Sequence, residues 1–279
     1  GNSLKFTTAG FVHVSLRELS STDTHVIVEL GVTDTGRGIS RHFLEEQLFH
    51  PFTQENTLGT GTGLGLSIVN SIVQSPAMNG KIDVWSTEGQ GTEIKVTCEL
   101  ERAEPGDLEG TIYRSSLNVA GESSVMLLGF GETRGQQDLK EVLLGYLCGW
   151  WKFALAEENV SKPGDLILVN EELDLIQSLI TLAPRPLPPV IVLTSSRGGQ
   201  DIANACDRYH EAGGVARILF KPAGPAKFEA VVDFCLQCIE RVRAGKPPLD
   251  VETKANTPLP SPAAPILSAE EEKDQDYLT

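Results

Sequence analysis

Three short stretches carry residue types at spacings that can do chemistry. In "LGTGTGLGLSIV", Leu58 to Val69, Gly59, Gly61, Gly63 and Gly65 alternate with other residues and then give way to an aliphatic run. Glycine is costly to order and packs nothing, so this density implies a partner approaching the main chain closely. Leu64, Leu66, Ile68, Val69, Ile72 and Val73 recur at near-helical spacing. The glycines therefore lead into a helix N-terminus, where free amides and the helix dipole favour an anion such as a phosphate chain. A flexible loop before an ordinary helix is the plainer reading of the same residues. No Gly-Lys-Ser/Thr follows, and the glycines miss the GxGxxG register, so neither a Walker loop nor a dinucleotide turn fits.

The second stretch, "TDTGRGI", puts Asp34 at the end of a predicted strand, with Gly36 and Gly38 letting the backbone fold tightly under a flat base. A fixed carboxylate accepts hydrogens from the adenine amino group and rejects guanine, which offers an oxygen there. An Asp capping a turn explains the same residues without a ligand. In the third, "GNSLKFT", Asn2 and Lys5 stand three apart and share one helix face. An amide oxygen there can ligate Mg²⁺ while the ammonium meets a phosphate, or both can simply face solvent. Within "LFHPFTQ", Phe49 and Phe52 read either as a clamp over a nucleotide or as core.

These residues need elements to hold them. From Phe11 to about Leu100, alternating runs ("FVHVSLRE", "HVIVELGVTD") and a hairpin around Glu88–Gly91 predict strands, with Val12, Val14 and Leu16 on one face. Helices fall near the start, at "SRHFLEEQLF" and at "LGLSIVNSIVQS". The expected fold is α/β: a two-layer sandwich with helices over one face of a mixed sheet. Residues 101–123 lose periodicity and read as a linker. Residues 124–243 then offer five short strand-like runs alternating with helices, which predicts a doubly wound five-strand parallel domain with any site at the C-terminal strand edges. From Ala244 to Thr279 the chain turns to Pro, Ala and acid, the composition of a disordered linker.

Composition narrows the function. The 279 residues suffice for two domains, and 40% hydrophobic with 6% aromatic content suits globular material. A net charge of −15 repels nucleic acid and anionic lipid over any extended contact. No run approaches the roughly 18 apolar residues of a membrane span, so no membrane contact is expected from this piece. Five scattered cysteines suit a reducing compartment, and the Cys235–Cys238 CxxC lies in a strongly helical run where both residues read as core. The opening "GNSLKFT" without a Met reads as the cut edge of a longer protein.

The order of the motifs, Asn-box, DTGRGI, paired Phe and GTGLGL, resembles the catalytic ATPase domain of sensor histidine kinases, within the superfamily that includes Hsp90, gyrase B and MutL. The resemblance covers residues 1 to about 100. It implies ATP and Mg²⁺ as cofactors, Asn2 as Mg²⁺ ligand and Lys5 as phosphate contact. It also implies Asp34 as adenine partner, with Gly36, Gly38 and Ile39 shaping the floor. Phe52 clamps, Gly61, Thr62, Gly63, Leu64 and Gly65 meet the phosphates, and Thr92 lies near the base. Thr60 stands where the family usually has Gly, and only about eight residues separate Phe52 from Gly61, which makes a short lid. The family passes its γ-phosphate to a histidine on a preceding dimerisation domain. His13, His25, His42, His50 and His210 all lie within or after the pocket motifs, so none holds the acceptor position and this piece alone is expected to be inactive.

Residues 124–243 resemble a response-regulator receiver, the domain that follows the kinase in hybrid histidine kinases, and the whole resembles the fungal type. The receiver's two acids are replaced by Gly129 and Phe130 and its phosphoacceptor Asp by Asn170, while Thr194 (or Ser195) and Lys221 match. A neutral amide is no phosphoryl nucleophile and holds Mg²⁺ poorly, so this half is expected not to accept phosphate. Asp165 and Asp174 lie away from the expected catalytic edge. The resemblance implies a cytoplasmic piece whose partners are the phosphoacceptor domain of the same protein, in a homodimer, and a further receiver beyond Thr279. A non-catalytic nucleotide-binding or scaffold module is the alternative. An Hsp90- or MutL-like ATPase would carry a Glu four residues before Asn2.

Overall fold

In a computed structural model, residues 1–55, 62–102, 117, 119, 122–196 and 199–249 are described. They fall in two compact units, one drawn from Gly1–Arg114 with Phe130–Leu143 and the other from Ser115–Gly129 with Leu144–Thr279.

The first unit opens with the short helix α1 (Asn2–Phe6), followed by strands β1 (Val12–Ser21) and β2 (His25–Asp34). Helices α2 (Arg41–Glu46) and α3 (Gly65–Val73) come next, and the hairpin β3 (Lys81–Thr87) and β4 (Gly91–Glu101) follows. The sheet order is β1-β2-β4-β3 and every pairing is antiparallel, in place of the mixed sheet expected. The two loops that join sequence-adjacent paired strands, β1 to β2 and β3 to β4, are tight enough for hairpins, and the helical segment between β2 and β3 lets β4 slot in beside β2. Helix α1 packs on β2, and α2 and α3 pack on β3. Ser40 caps α2, its Oγ accepting from the Phe43 amide at 3.4 Å.

Register fixes which residues share a face. Val12, Val14 and Leu16 pair with Asp34, Val32 and Leu30, as the alternation predicts. At the β1 edge, however, Val14 and Leu16 remain 63% and 71% exposed. Helix α4 (Arg134–Leu144) also groups largely with this unit: the Arg134 guanidinium lies 5.6 Å from the Phe11 ring centroid, and Asp138 is 3.8 Å from His13.

The second unit is a parallel sheet of β5 (Ser124–Leu128), β6 (Ala154–Leu155), β7 (Leu166–Asn170), β8 (Val190–Thr194) and β9 (Ala216–Phe220), ordered β6-β5-β7-β8-β9. This is the doubly wound order, and β7 and β8 are buried from end to end because helices cover both faces. Helices α5 (Leu173–Leu182), α6 (Gln200–Glu211) and α7 (Pro225–Arg243) complete it, α7 starting at Pro225, where a missing amide costs nothing. Cys235 and Cys238 are buried in α7, as the helical pattern predicts, and burial pushes the Cys235 thiol well above its ordinary range. Asp165, just before β7, accepts from the Ser124 amide and hydroxyl, both at 2.8 Å, and pairs with Arg243 at 2.7 Å. It fastens β5 and the end of α7 rather than facing the strand C-termini.

Candidate functional site

The first unit encloses a cavity of about 540 Å³ whose wall unites the three motifs that lie apart in sequence. Asn2 and Lys5 reach it from α1, Asp34 from the end of β2, Gly38 and Ile39 from the turn that follows, and Thr92 from β4. Thr62, Gly63, Gly65 and Leu66 border it at the start of α3. The expected Gly61 contact, and the Thr60 departure, fall outside the described residues.

Asp34 is 8% exposed, and its Oδ1 accepts the Gly36 amide at 3.0 Å, which fixes the carboxylate at the strand end. Gly36 does not itself line the cavity. A Cβ there would meet the Phe6 carbonyl oxygen at 2.6 Å, so glycine lets the turn press against α1. Gly38 has φ +71°, and a Cβ would stand 2.1 Å from the Thr87 carbonyl oxygen. The turn after β2 thus needs both glycines.

At the other end, α3 has no side-chain cap on its first turn, which leaves its leading amides available to an anion. Gly63, at φ +72°, has its carbonyl held by the Phe52 amide at 3.1 Å, and a Cβ would collide with the Thr53 and Phe52 backbone. Leu64 precedes α3 without lining the cavity.

Phe52 takes a different part from the clamp the sequence suggests. Its backbone holds Gly63 while its side chain is 76% exposed and off the cavity wall, and Phe49 is half-buried, also off the wall. The apolar wall comes instead from Phe6, Ile39, Phe43, Leu48, Leu66 and Ile94. Arg37 crosses the rim, its guanidinium 4.5 Å from the Phe6 ring centroid and 3.4 Å from Glu55, whose other oxygen accepts the Ser40 amide at 2.7 Å. None of the five histidines lines the cavity.

Ser86 was not singled out by the sequence. Its Oγ accepts the Ile39 amide at 2.8 Å, donates to the Gly91 carbonyl at 2.8 Å and lies 2.9 Å from Thr92 Oγ1. Only the register Asp34↔Thr92↔Ser86 across β2, β4 and β3 reveals it.

In the second unit Gly129, Asn170, Thr194 and Lys221 stand at the C-terminal strand edges. The buried Asn170 donates from Nδ2 to the Gly129 carbonyl at 3.1 Å and accepts from Lys221 Nζ at 2.9 Å. Phe130, which groups with the first unit, follows β5 and is half-buried. Thr194 is buried, its Oγ1 accepting the Ser196 amide at 3.0 Å. Lys221 also meets Glu171 at 2.9 Å, and the same Glu171 oxygen accepts the Ser195 amide at 2.8 Å. Partial burial works against Glu171 ionisation, yet the Lys221 and Ser195 hydrogen bonds outweigh it and hold its carboxyl below the ordinary range. Among the described residues no cluster of His, Cys, Asp and Glu could hold a metal ion.

A cavity that joins a buried strand-end carboxylate, a glycine floor and an uncapped helix start has the parts of a nucleotide site. Residues 1–102 match the family model described as histidine kinase-, DNA gyrase B-, and HSP90-like ATPase. The chain is similar to the sensor histidine kinase AtsR of Burkholderia thailandensis, with 36% identity over 104 residues, 36% of this chain and 17% of that protein. It is similar to hybrid signal transduction histidine kinase L of Dictyostelium discoideum, with 36% identity over 120 residues, 42% of this chain and 7% of that protein. With the sensor protein EvgS of Escherichia coli O157:H7 it shares 32% identity over 102 residues, 36% of this chain and 8% of that protein. Residues 1–102 are thus a histidine kinase-type ATPase domain, of the kind found in sensor and hybrid histidine kinases. The chain spans less than a fifth of the length of each of these relatives.

Proposed function

We propose that residues 1–102 bind Mg-ATP and present its γ-phosphate to a histidine on another domain of the same signalling protein. The observation that carries this reading is that Asp34 and the residues Thr62, Gly63, Gly65 and Leu66 at the start of α3 border one cavity. In it the purine lies on the Gly36–Gly38 turn with its amino group at Asp34, and the phosphates run toward the start of α3. Lys5 meets a phosphate as a point charge.

Asn2 lines the same cavity, so its amide oxygen suits Mg²⁺ bound to the nucleotide, an ion that neutralises phosphate charge and keeps most of its ligands from water and phosphate. The absence of any histidine from the wall supports transfer to an acceptor supplied from elsewhere, on a dimerisation domain in a homodimer. A receiver beyond Thr279 is then the onward partner, and the piece works in the cytoplasm. No helix among the described residues is long and apolar enough to cross a membrane.

The receiver-like unit acts as a spacer or docking domain rather than a phosphoacceptor, a reading supported by the Asn170 amide in the place of a carboxylate. The same lack of a histidine on the wall suits a non-catalytic nucleotide-binding module, and the two readings part on turnover. Calorimetric titration of the chain with Mg-ATP is expected to show one site. Mixing it with a dimerisation domain bearing its histidine is then expected to give an acid-labile phosphohistidine. Binding without transfer selects the non-catalytic module, and no binding rejects both.

A further inference from the structure

Ser86 has one proton and three partners, and only one assignment satisfies all of them. The Ile39 amide must donate to Ser86 Oγ, since an amide nitrogen cannot accept. The Gly91 carbonyl can only accept, so it takes the Ser86 proton at 2.8 Å. Thr92 Oγ1, 2.9 Å away, must therefore donate its own proton to Ser86. With that proton spent, the Thr92 hydroxyl offers the cavity lone pairs and nothing else.

Thr92 lies opposite Asp34 in the β2–β4 register, and both residues line the cavity, while Ser86 does not. An ionised Asp34 is likewise acceptor-only. The polar end of the cavity therefore presents two adjacent groups that both require a donor.

We infer that Ser86 is a specificity-determining positioning residue: by holding the Thr92 proton, it makes the base end of the cavity acceptor-only and selects a purine with a six-amino group over a six-oxo purine. This rests on the proposed nucleotide reading and deepens it. An amino group carries two hydrogens, one for each acceptor. A six-oxo group instead sets a third acceptor against the other two, and a buried acceptor left without a donor is costly. Removing the Ser86 hydroxyl frees the Thr92 proton to turn into the cavity and donate to such an oxygen.

The test uses the whole chain and three nucleotides, ATP, inosine triphosphate and N6,N6-dimethyl-ATP, titrated calorimetrically with Mg²⁺. For the unaltered chain, ATP is expected to bind at least about tenfold more tightly than either analogue, since one lost pairing of this kind is worth about that factor. Ser86→Ala is expected to narrow the ATP-to-inosine-triphosphate ratio by about tenfold. Dimethyl-ATP, with no amino hydrogen and no oxygen at that position, gains nothing. Ser86→Thr, which keeps a hydroxyl, is expected to restore the preference.

An unchanged ratio in Ser86→Ala, or a narrowed ratio in Ser86→Thr, overturns the inference while leaving ATP binding intact. Equal affinity of the unaltered chain for ATP and inosine triphosphate overturns it without recourse to a variant. A chain that binds none of the three nucleotides contradicts the nucleotide reading instead.

Discussion

Asp34 is held by two constraints, the β2 strand end and the Gly36 amide, so its carboxylate reaches the cavity already oriented. Asp34→Asn is expected to weaken ATP binding by about 1 to 3 kcal/mol, the range of one charge-assisted hydrogen bond, with little change in melting temperature. Calorimetry and a thermal melt on the same sample check both parts. The glycines separate by a different measurement. Gly38→Ala drives a Cβ into the Thr87 carbonyl at a positive φ and is expected to lower stability by about 1 to 3 kcal/mol. At Gly65 a Cβ meets nothing within 4 Å, and alanine is the better helix former, so Gly65→Ala is expected to hold or raise stability by up to about 1 kcal/mol. Urea denaturation of the two variants reads the contrast.

Elements explain what the sequence made legible. Asn2, Lys5, Asp34, Gly38, Gly63 and Gly65 stand out by residue type, because a motif needs a carboxylate, an ammonium or a bare backbone at that point. The phenylalanines show the limit: Phe43 and Phe52 are chemically alike, and only the packing of α2 and the positive φ of Phe52 put one on the wall and the other in solvent. Ser86 is silent in sequence because its role arises from a register joining it to Ile39, 47 positions away. The five parallel strands were legible from their unbroken apolar runs, whereas "KFALAEE" yields only the two residues of β6 at the sheet edge.

At the strand C-termini of the second unit, Glu171 titrates below its ordinary 4.5, so it takes up its proton less readily folded than unfolded. Its stabilising contribution is therefore complete above pH 4.5 and is lost as pH falls through the depressed value. Glu171→Gln is expected to flatten that part of the stability profile, as read from denaturation midpoints across the acid range. An unchanged acid slope would show that the Lys221 pairing adds nothing.

On the scale of the molecule, two compact units carry two unlike strand-edge chemistries. The first opens its carboxylate to a cavity, whereas the second ties Lys221 to Asn170 and Glu171. A small-molecule phosphodonor is accordingly expected to leave residues 124–243 without acid-labile label, as phosphate mapping by mass spectrometry would read. The most direct test of the central claim is a crystal structure of the chain with Mg²⁺ and a non-hydrolysable ATP analogue. The expected density has the adenine amino nitrogen within hydrogen-bonding distance of Asp34 and the phosphates along Thr62–Leu66. A nucleotide bound elsewhere, or one whose base lies at α3 and whose phosphates lie at Asp34, would contradict it.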